Sequence, residues 1–336
     1  MSNPFLLDFH SLIESADKIR QSKWGKKTYF VKNIHLNYTN ICVNHCKFCA
    51  FAKNKGEDGS YFMTVDKAVN YVAEKGSDAS EIHVVGGLHP DFALDYASDI
   101  VTELKKTFPD KTIKGFTAVE IDYFASCSGL SVGAVLERLK NAGLEMMPGG
   151  GAEIFNSSVR GKICPEKIPA SRWLEIHETA HKVGITTNAT MLYGHLESEE
   201  DKYRHLLMLR ELQERTGGFT AFIPLSFQPD GTFLHGKKGA TGIDDIKTVA
   251  AARVVLDNIP HIKAYWVMLG EKTAQIALRA GADDLDGTIV KENIARAAGG
   301  KTQSAMTVEN IVGMVKSAGL IPVERDSFYR EIKTYG

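Results

Sequence analysis

The feature that most restricts how this chain can fold is an alternation running from end to end. Short β-rich runs recur near 29–37, 80–86, 112–118, 143–147, 184–191, 219–226, 261–267 and 283–288. Helix-period segments separate them, near 64–75, 92–107, 131–141, 170–182, 198–216, 243–257 and 271–280, with further helices near 5–21 and 307–318. Thr64 and Thr307 stand where helix N-caps belong. Eight strands, each followed by a helix, predict an α/β fold with parallel strands. A closed (βα)8 barrel of TIM type is the simplest arrangement for 336 residues. A doubly wound open sheet is the alternative. No repeat or Pro/Ser-rich linker divides the chain, so 1–336 reads as a single domain. Its expected parts are an N-terminal helical extension (1–27), the barrel (28–290), and a C-terminal helix and tail (291–336). The Gly-rich stretch 297–301 reads as a mobile loop.

The unusual polar sequences all fall just after strands. The first strand leads into a run of cysteines, and the second into Gly86, Gly87, His89 and Pro90. Then follow Thr117 to Glu120, Pro148 to Glu153, and Asn188 to His195. Pro224 to Gln228, Tyr265 with Trp266, and Asp284 to Thr288 complete the set. In a parallel barrel the C-terminal strand ends share one face, and that face carries the active site.

Five cysteines, three of them within eight residues, do not form a disulfide pattern. Cys127 and Cys164 read as ordinary packed thiols. Cys42, Cys46 and Cys49 have C-x3-C-x2-C spacing. Three thiolates so spaced can wrap one iron–sulfur cube and leave the fourth iron open. A structural zinc site needs four ligands, and His45 is the only local fourth. Net charge is −1 with no basic cluster, which argues against nucleic acid. The start of the chain does not read as a signal peptide, and no run of about 18 apolar residues exists to span a membrane. The expected location is cytoplasmic.

With Phe48 before its third cysteine, the loop resembles the signature of the radical S-adenosylmethionine (SAM) superfamily. The resemblance implies a 4Fe–4S cluster on Cys42, Cys46 and Cys49. Its open iron is chelated by SAM, and one electron from it breaks the sulfonium S–C5′ bond to give a 5′-deoxyadenosyl radical. Gly86 and Gly87 resemble the superfamily's Gly-rich SAM motif, although Leu88 replaces the usual acidic residue. Thr117–Asp122, Pro148–Phe155, Thr187–His195, His261–Trp266, Asp283–Thr288 and Pro322–Asp326, in this order, resemble the aminofutalosine synthases of the futalosine route to menaquinone. That family is a transferase family that consumes SAM as co-substrate. Its radical adds to 3-[(1-carboxyvinyl)oxy]benzoate and yields 6-amino-6-deoxyfutalosine, methionine and bicarbonate. An electron donor such as flavodoxin or ferredoxin is implied. The alternatives are a related futalosine-pathway cyclase or deazaflavin-forming synthase, a non-catalytic iron–sulfur protein, and a zinc-stabilised hydrolase barrel.

A substrate with two carboxylates needs cationic or donor groups to meet both. Strand alternation puts His261, Lys263 and Tyr265 on one face, expected to point inward. Lys263, Tyr265 and His195 are the candidate catalytic residues, with Arg325 next for a carboxylate; pairing with a structural acid is the plainer reading of Lys263. Phe48, Gly86, Gly87, Glu120, Gly150, Asn188, Thr190, Gln228 and Asp286 are the candidate cofactor-binding residues. Glu153 is a weaker acid of the same kind, and Gly149 to Gly151 can admit a ligand close to the backbone. His177 and His181, four apart on one helix, read as structural.

Overall fold

The computed structural model describes residues 2–236, 238–288, 294–297 and 305–336. Most of the Gly-rich stretch 297–301 lies outside them. The first strand runs as two pieces, β1 (Lys27–Val31) and β2 (Asn33–Leu36), interrupted at Lys32. There follow β3 (Glu81–Val84), β4 (Thr112–Gly115), β5 (Met146–Met147), β6 (Thr186–Tyr193), β7 (Phe219–Ser226), β8 (His261–Ile262) and β9 (Asp284–Gly287). Strands β10 (Ile321–Arg325) and β11 (Glu331–Thr334) end the chain.

A seven-stranded sheet runs in the order β2-β3-β4-β5-β6-β7-β8, every neighbour parallel. A four-stranded sheet has the order β11-β10-β1-β9. The two meet where β1 continues into β2, and again at a parallel bridge between Lys263 and Asp284. There the Ala264 N–H donates to the Asp284 carbonyl at 2.7 Å. The parallel strands thus curl around one axis, as the alternation predicts. In the seven-stranded sheet strand sequence order equals spatial order, which short right-handed strand–helix–strand crossovers produce.

The helices cover the outside with their apolar faces. Leu94–Thr107 turns Leu94, Ala97, Ile100, Val101 and Leu104 inward. The Leu, Ile and Val side chains among them each contribute about 1.5–3 kcal/mol when fully buried. Thr64 and Thr307 cap their helices through Oγ1, accepting from Lys67 N and Asn310 N. Among the described residues no single helix is long and apolar enough to cross a membrane. The pair Ala118–Ser128 and Val132–Ala142 reaches that only jointly, with a 107° bend.

Three local departures from the sequence pattern shape the interior. Thr117 to Glu120 opens the helix Ala118–Ser128, because Thr117 and Glu120 form a capping box. Pro148 and three glycines stop β5 after two residues. β8 ends at Ile262, and Tyr265 caps the short helix Trp266–Leu269. Residues 321–325 and 331–334 form strands, β10 lying parallel to β1 with Lys27 opposite Ile321.

β10 brings Arg325 into the interior, where its Nε donates to Asp284 Oδ2 at 2.6 Å. Its guanidinium lies 3.9 Å from the Tyr329 ring centroid. Both partners are buried. Arg325→Met should therefore destabilise the protein by about 3–5 kcal/mol in denaturant unfolding, because Asp284 is left as an uncompensated buried charge. Adding Asp284→Asn should restore most of that; no recovery would show that the pair does not set the cost.

Candidate active site

The strand C-terminal ends and their loops enclose a cavity of about 320 Å³. At its rim lies the segment containing Cys42, Cys46 and Cys49, which has no regular secondary structure there. Backbone bonds fix it from several sides. Cys42 N donates to Lys53 O, Val43 N to Leu88 O, Lys47 N to Ile163 O and Cys49 N to Cys46 O, at 2.8–3.1 Å. All three cysteines line the cavity. Burial pushes the Cys46 thiol up to about 12, with Lys167 pulling the other way. Burial raises Cys42 as well. Such thiols are poor free nucleophiles, and a bound cation is what holds them as thiolates. Among the described residues no three His, Cys, Asp or Glu side chains already converge on one metal ion. Three thiols on one cavity wall, in a loop outside regular structure, still fit a cluster held at three corners.

Gly86 and Gly87 pass directly beneath the cysteine loop. A Cβ on Gly87 would lie 2.2 Å from the Ile41 carbonyl oxygen, so only glycine fits. Gly86 N donates to Glu120 Oε1 at 3.1 Å, and Tyr38 donates to the same oxygen at 2.9 Å. Glu120 Oε2 accepts from Thr117 N and Thr117 Oγ1 at 2.7 and 2.8 Å. Burial raises the Glu120 carboxyl, though these donors oppose it. Glu120 lines the cavity, but both oxygens already serve the protein: they hold the Gly86 turn in place.

Gly149, Gly150 and Gly151 also line the cavity. Their missing side chains serve packing. At Gly151, whose φ is +90°, a Cβ would sit 2.5 Å from Val119 Cγ2, and at Gly149 it would meet the Asn188 carbonyl oxygen at 2.7 Å. Asn188 and Thr190 face the cavity from β6, as alternation predicts. Asn188 Nδ2 donates to Thr220 Oγ1 at 2.8 Å, and Thr190 Oγ1 to Gly149 O at 2.6 Å. Gln228 Nε2 donates to the Ser226 and Met268 carbonyls, both at 3.1 Å. Phe48, Tyr265 and Asp286 line the cavity too. Lys167 sits against Glu153 at 2.5 Å and 4.9 Å from the Phe48 ring centroid.

The floor consists of His35, His83, Lys114, Lys263 and Asp286. His35, His83 and Lys114 are register partners across β2, β3 and β4, and so stand at one level. The imidazoles lie 4.7 Å apart. Lys263 donates to Asp286 Oδ1 at 2.7 Å, so the expectation of a paired lysine holds and the pair lies within the cavity. Lys114 meets Glu81 at 2.6 Å. Burial by itself would raise Glu81; Lys114 and Lys263 outweigh it and hold the carboxyl down to about 2. Asp286 is held well below the usual carboxylate range in the same way. Burial drives His35 down to about 4 and His83 well below its ordinary value.

Two expected residues are not brought to this cavity. His195 bonds to the Leu192 carbonyl at 3.0 Å, accepts from Leu196 N at 2.7 Å and lies 3.0 Å from Glu197. It lines a separate cleft with Lys202 and Asp244, because the chain turns outward after Tyr193. His261 lies below the floor, 2.5 Å from Asp283, stacked between Trp24 and Tyr329. β8 ends one residue after it, so the alternation that would align it with Tyr265 stops. His177 and His181 bond to threonines at 2.7–2.9 Å, a structural role.

Sequence reasoning missed His35, His83, Lys114, Tyr38 and Lys167. A signal for three of them was present: Ile34-His35-Leu36, Ile82-His83-Val84 and Ile113-Lys114-Gly115 each set a polar residue directly after a buried isoleucine at the same strand position.

Comparison with known proteins adds the family. Residues 36–209 match the radical SAM superfamily and residues 216–335 the CofH/MqnC C-terminal region. The chain is 47% identical to an aminodeoxyfutalosine synthase of Thermus thermophilus, over 98% of this chain and 90% of that one. It is 41% identical to one of Streptomyces coelicolor, over 95% and 86%. A 5-amino-6-(D-ribitylamino)uracil–L-tyrosine 4-hydroxyphenyl transferase of Methanocaldococcus jannaschii is 40% identical, over 95% and 91%. The fold matches methylornithine synthase (PylB), with TM-score 0.75 at 16% identity over 94% and 89% of the two chains. It also matches the FeFe-hydrogenase maturase HydG of Carboxydothermus hydrogenoformans, with TM-score 0.74 at 17% identity over 97% and 76%.

The floor has a measurable pH signature. Glu81 titrates near 2 in the folded protein against an ordinary 4.5. A depressed carboxylate contributes stability that is complete above its unfolded value and lost as pH falls towards the folded one. Replacing Glu81 by Gln together with Lys114 by Met should therefore lower the proton uptake on unfolding by about one between pH ~4.5 and ~2. An unchanged slope of stability against pH in that window would refute the depressed Glu81.

Proposed function

The chain belongs to the radical SAM superfamily, and from that premise we propose that it acts as an aminodeoxyfutalosine synthase. Membership makes it an enzyme that uses SAM, and implies a 4Fe–4S cluster. In the proposed reaction the 5′-deoxyadenosyl group of SAM joins the vinyl carbon of 3-[(1-carboxyvinyl)oxy]benzoate. The S–C5′ bond breaks, the vinyl-borne carboxylate leaves, and with one water consumed the products are 6-amino-6-deoxyfutalosine, methionine and bicarbonate. The observation that carries this reading is likeness to two aminodeoxyfutalosine synthases, at 47% and 41% identity along almost the whole chain. The cavity is consistent with it: a thiol-lined rim, apolar walls, and two lysines on the floor for an acidic substrate.

Cys42, Cys46 and Cys49 are the residues that would hold the cluster, which when bound supplies the electron that opens the sulfonium of SAM. Gly86 and Gly87 give a flat backbone under that loop, and Glu120 fixes their orientation. Ile223, Leu225, Phe227 and Met268 form a water-poor wall. Within such a wall a reactive carbon meets few competing groups, and positioning accounts for much of the rate. Lys263, Tyr265, Asn188 and Gln228 supply the polar contacts that orient the substrate. A small electron-transfer protein such as flavodoxin or ferredoxin serves as donor.

A second reading is a hydroxyphenyl transferase, favoured by the 40% identity to the Methanocaldococcus jannaschii protein. Turnover with SAM labelled at C5′ separates the two. The label should appear in an adenine-bearing adduct of the enol-ether benzoate, with one methionine and one bicarbonate formed per adduct. Label recovered only as 5′-deoxyadenosine, with the benzoate left unjoined, would refute the synthase. Cys42→Ala, Cys46→Ala and Cys49→Ala should each lose bound iron after anaerobic reconstitution, while Cys127→Ala retains it.

A further inference from the structure

We propose that His83 and Lys114 form a carboxylate subsite on the cavity floor, which takes the ring carboxylate of an aromatic substrate and turns its reacting end towards the cysteine loop. The inference rests on the function proposed above and adds where the second carboxylate goes.

Two observations point to a ligand at this level. Lys114 is buried, lines the cavity and has three donors, of which the ion pair with Glu81 engages at most one. The His35 Nε2 is fully buried and has no hydrogen-bond partner among the described residues. A buried nitrogen left unpaired is destabilising, a cost that a ligand accepting from its N–H removes.

The charges present set the ligand's class. Lys114, Lys263 and Arg325 face Glu81, Asp284 and Asp286, so cations and anions balance before anything binds. An arriving carboxylate leaves one negative charge in excess. His83 and His35 are the groups at that level able to take a compensating proton; around them stand Lys114, Lys263, Glu81 and Asp286. A carboxylate should therefore enter with a proton. The cavity's apolar wall suits a flat ring between this floor and the rim. With the cysteines at the rim, a ring carboxylate on the floor leaves the enol ether at the upper end.

The test compares 3-[(1-carboxyvinyl)oxy]benzoate with the phenyl ether that lacks the ring carboxylate, using the reconstituted holoenzyme. The wild type should prefer the benzoate by about 100-fold in kcat/KM, mostly through KM, as expected for loss of a charge-assisted contact. Lys114→Met alone would strand Glu81, so Glu81→Gln is combined with it. That pair of changes, and separately His83→Phe, should cut the preference to below about tenfold while leaving kcat/KM for the phenyl ether within about threefold. Activity on the phenyl ether reports that the variants have folded. Calorimetry of benzoate binding in buffers of different ionisation heat should show about one proton taken up. A preference that survives both changes, or binding without proton uptake, overturns the subsite and leaves the proposed function standing. A wild-type enzyme that joins the adenosyl group to neither compound overturns both.

Discussion

A charge buried in a barrel must be matched at its own level, because nothing inside screens it. This interior is matched across strands and not along them. Lys114 on β4 meets Glu81 on β3. Lys263, just after β8, meets Asp286 on β9, and Arg325 on β10 meets Asp284 on β9. Asp283 takes Arg253 from an outer helix and His261 from β8. Each pair fixes the register of two segments, since a slip of one residue would turn one partner out of the barrel. The weakest seam, where two-residue β8 meets β9 at a single bridge, is the one these pairs cross most often.

The rim is held by a different device. One carboxylate, Glu120, accepts from Tyr38, Gly86 and Thr117, which belong to three successive strand ends. Glycine at 86 and 87 lets the second strand's loop lie close under the cysteine segment. The cysteine loop has little structure of its own, and its position is inherited from these neighbours. Preorganising a site this way fixes the geometry before any ligand arrives.

The strand and helix alternation carried the fold, because in a parallel barrel each element's pattern is set by local burial. The cysteine spacing carried the rim for a similar reason: three ligands within eight residues are close in any conformation. His195 and His261 were misplaced because their positions depend on where a strand stops, and single residues decide that. The Glu197 carboxylate receives the Gly194 and His195 N–H groups and turns the chain outward after β6. Glu120 looked like a ligand because a strand end was expected; the Thr117-x-x-Glu120 spacing of a capping box was the signal for a helix start. Lys167 arrives from a distant loop and could be linked to Glu153 only in three dimensions.

The separation of rim from floor bears on how one scaffold serves more than one reaction. The relatives at 47% and 40% identity carry the names of different activities, and both align along nearly all of this chain. A difference in fold or length therefore does not separate them, which leaves the side chains of the site. Side chains at the rim hold the cysteine loop in shape, and a change there disturbs every reaction that depends on it. In the subsite proposed above, side chains on the floor meet the part of the substrate that does not react. There the discriminating quantity is charge count: three cations and three anions sit at one end of a water-poor cavity. Adding or removing one charge in such a place alters binding of an anion far more than the same change at the surface. Three inward positions, His35, His83 and Lys114, stand in one register row, and Lys114 can change there only together with its partner Glu81. On the proposed subsite, the physical route by which this barrel can change its substrate while keeping its cysteine rim runs through that row.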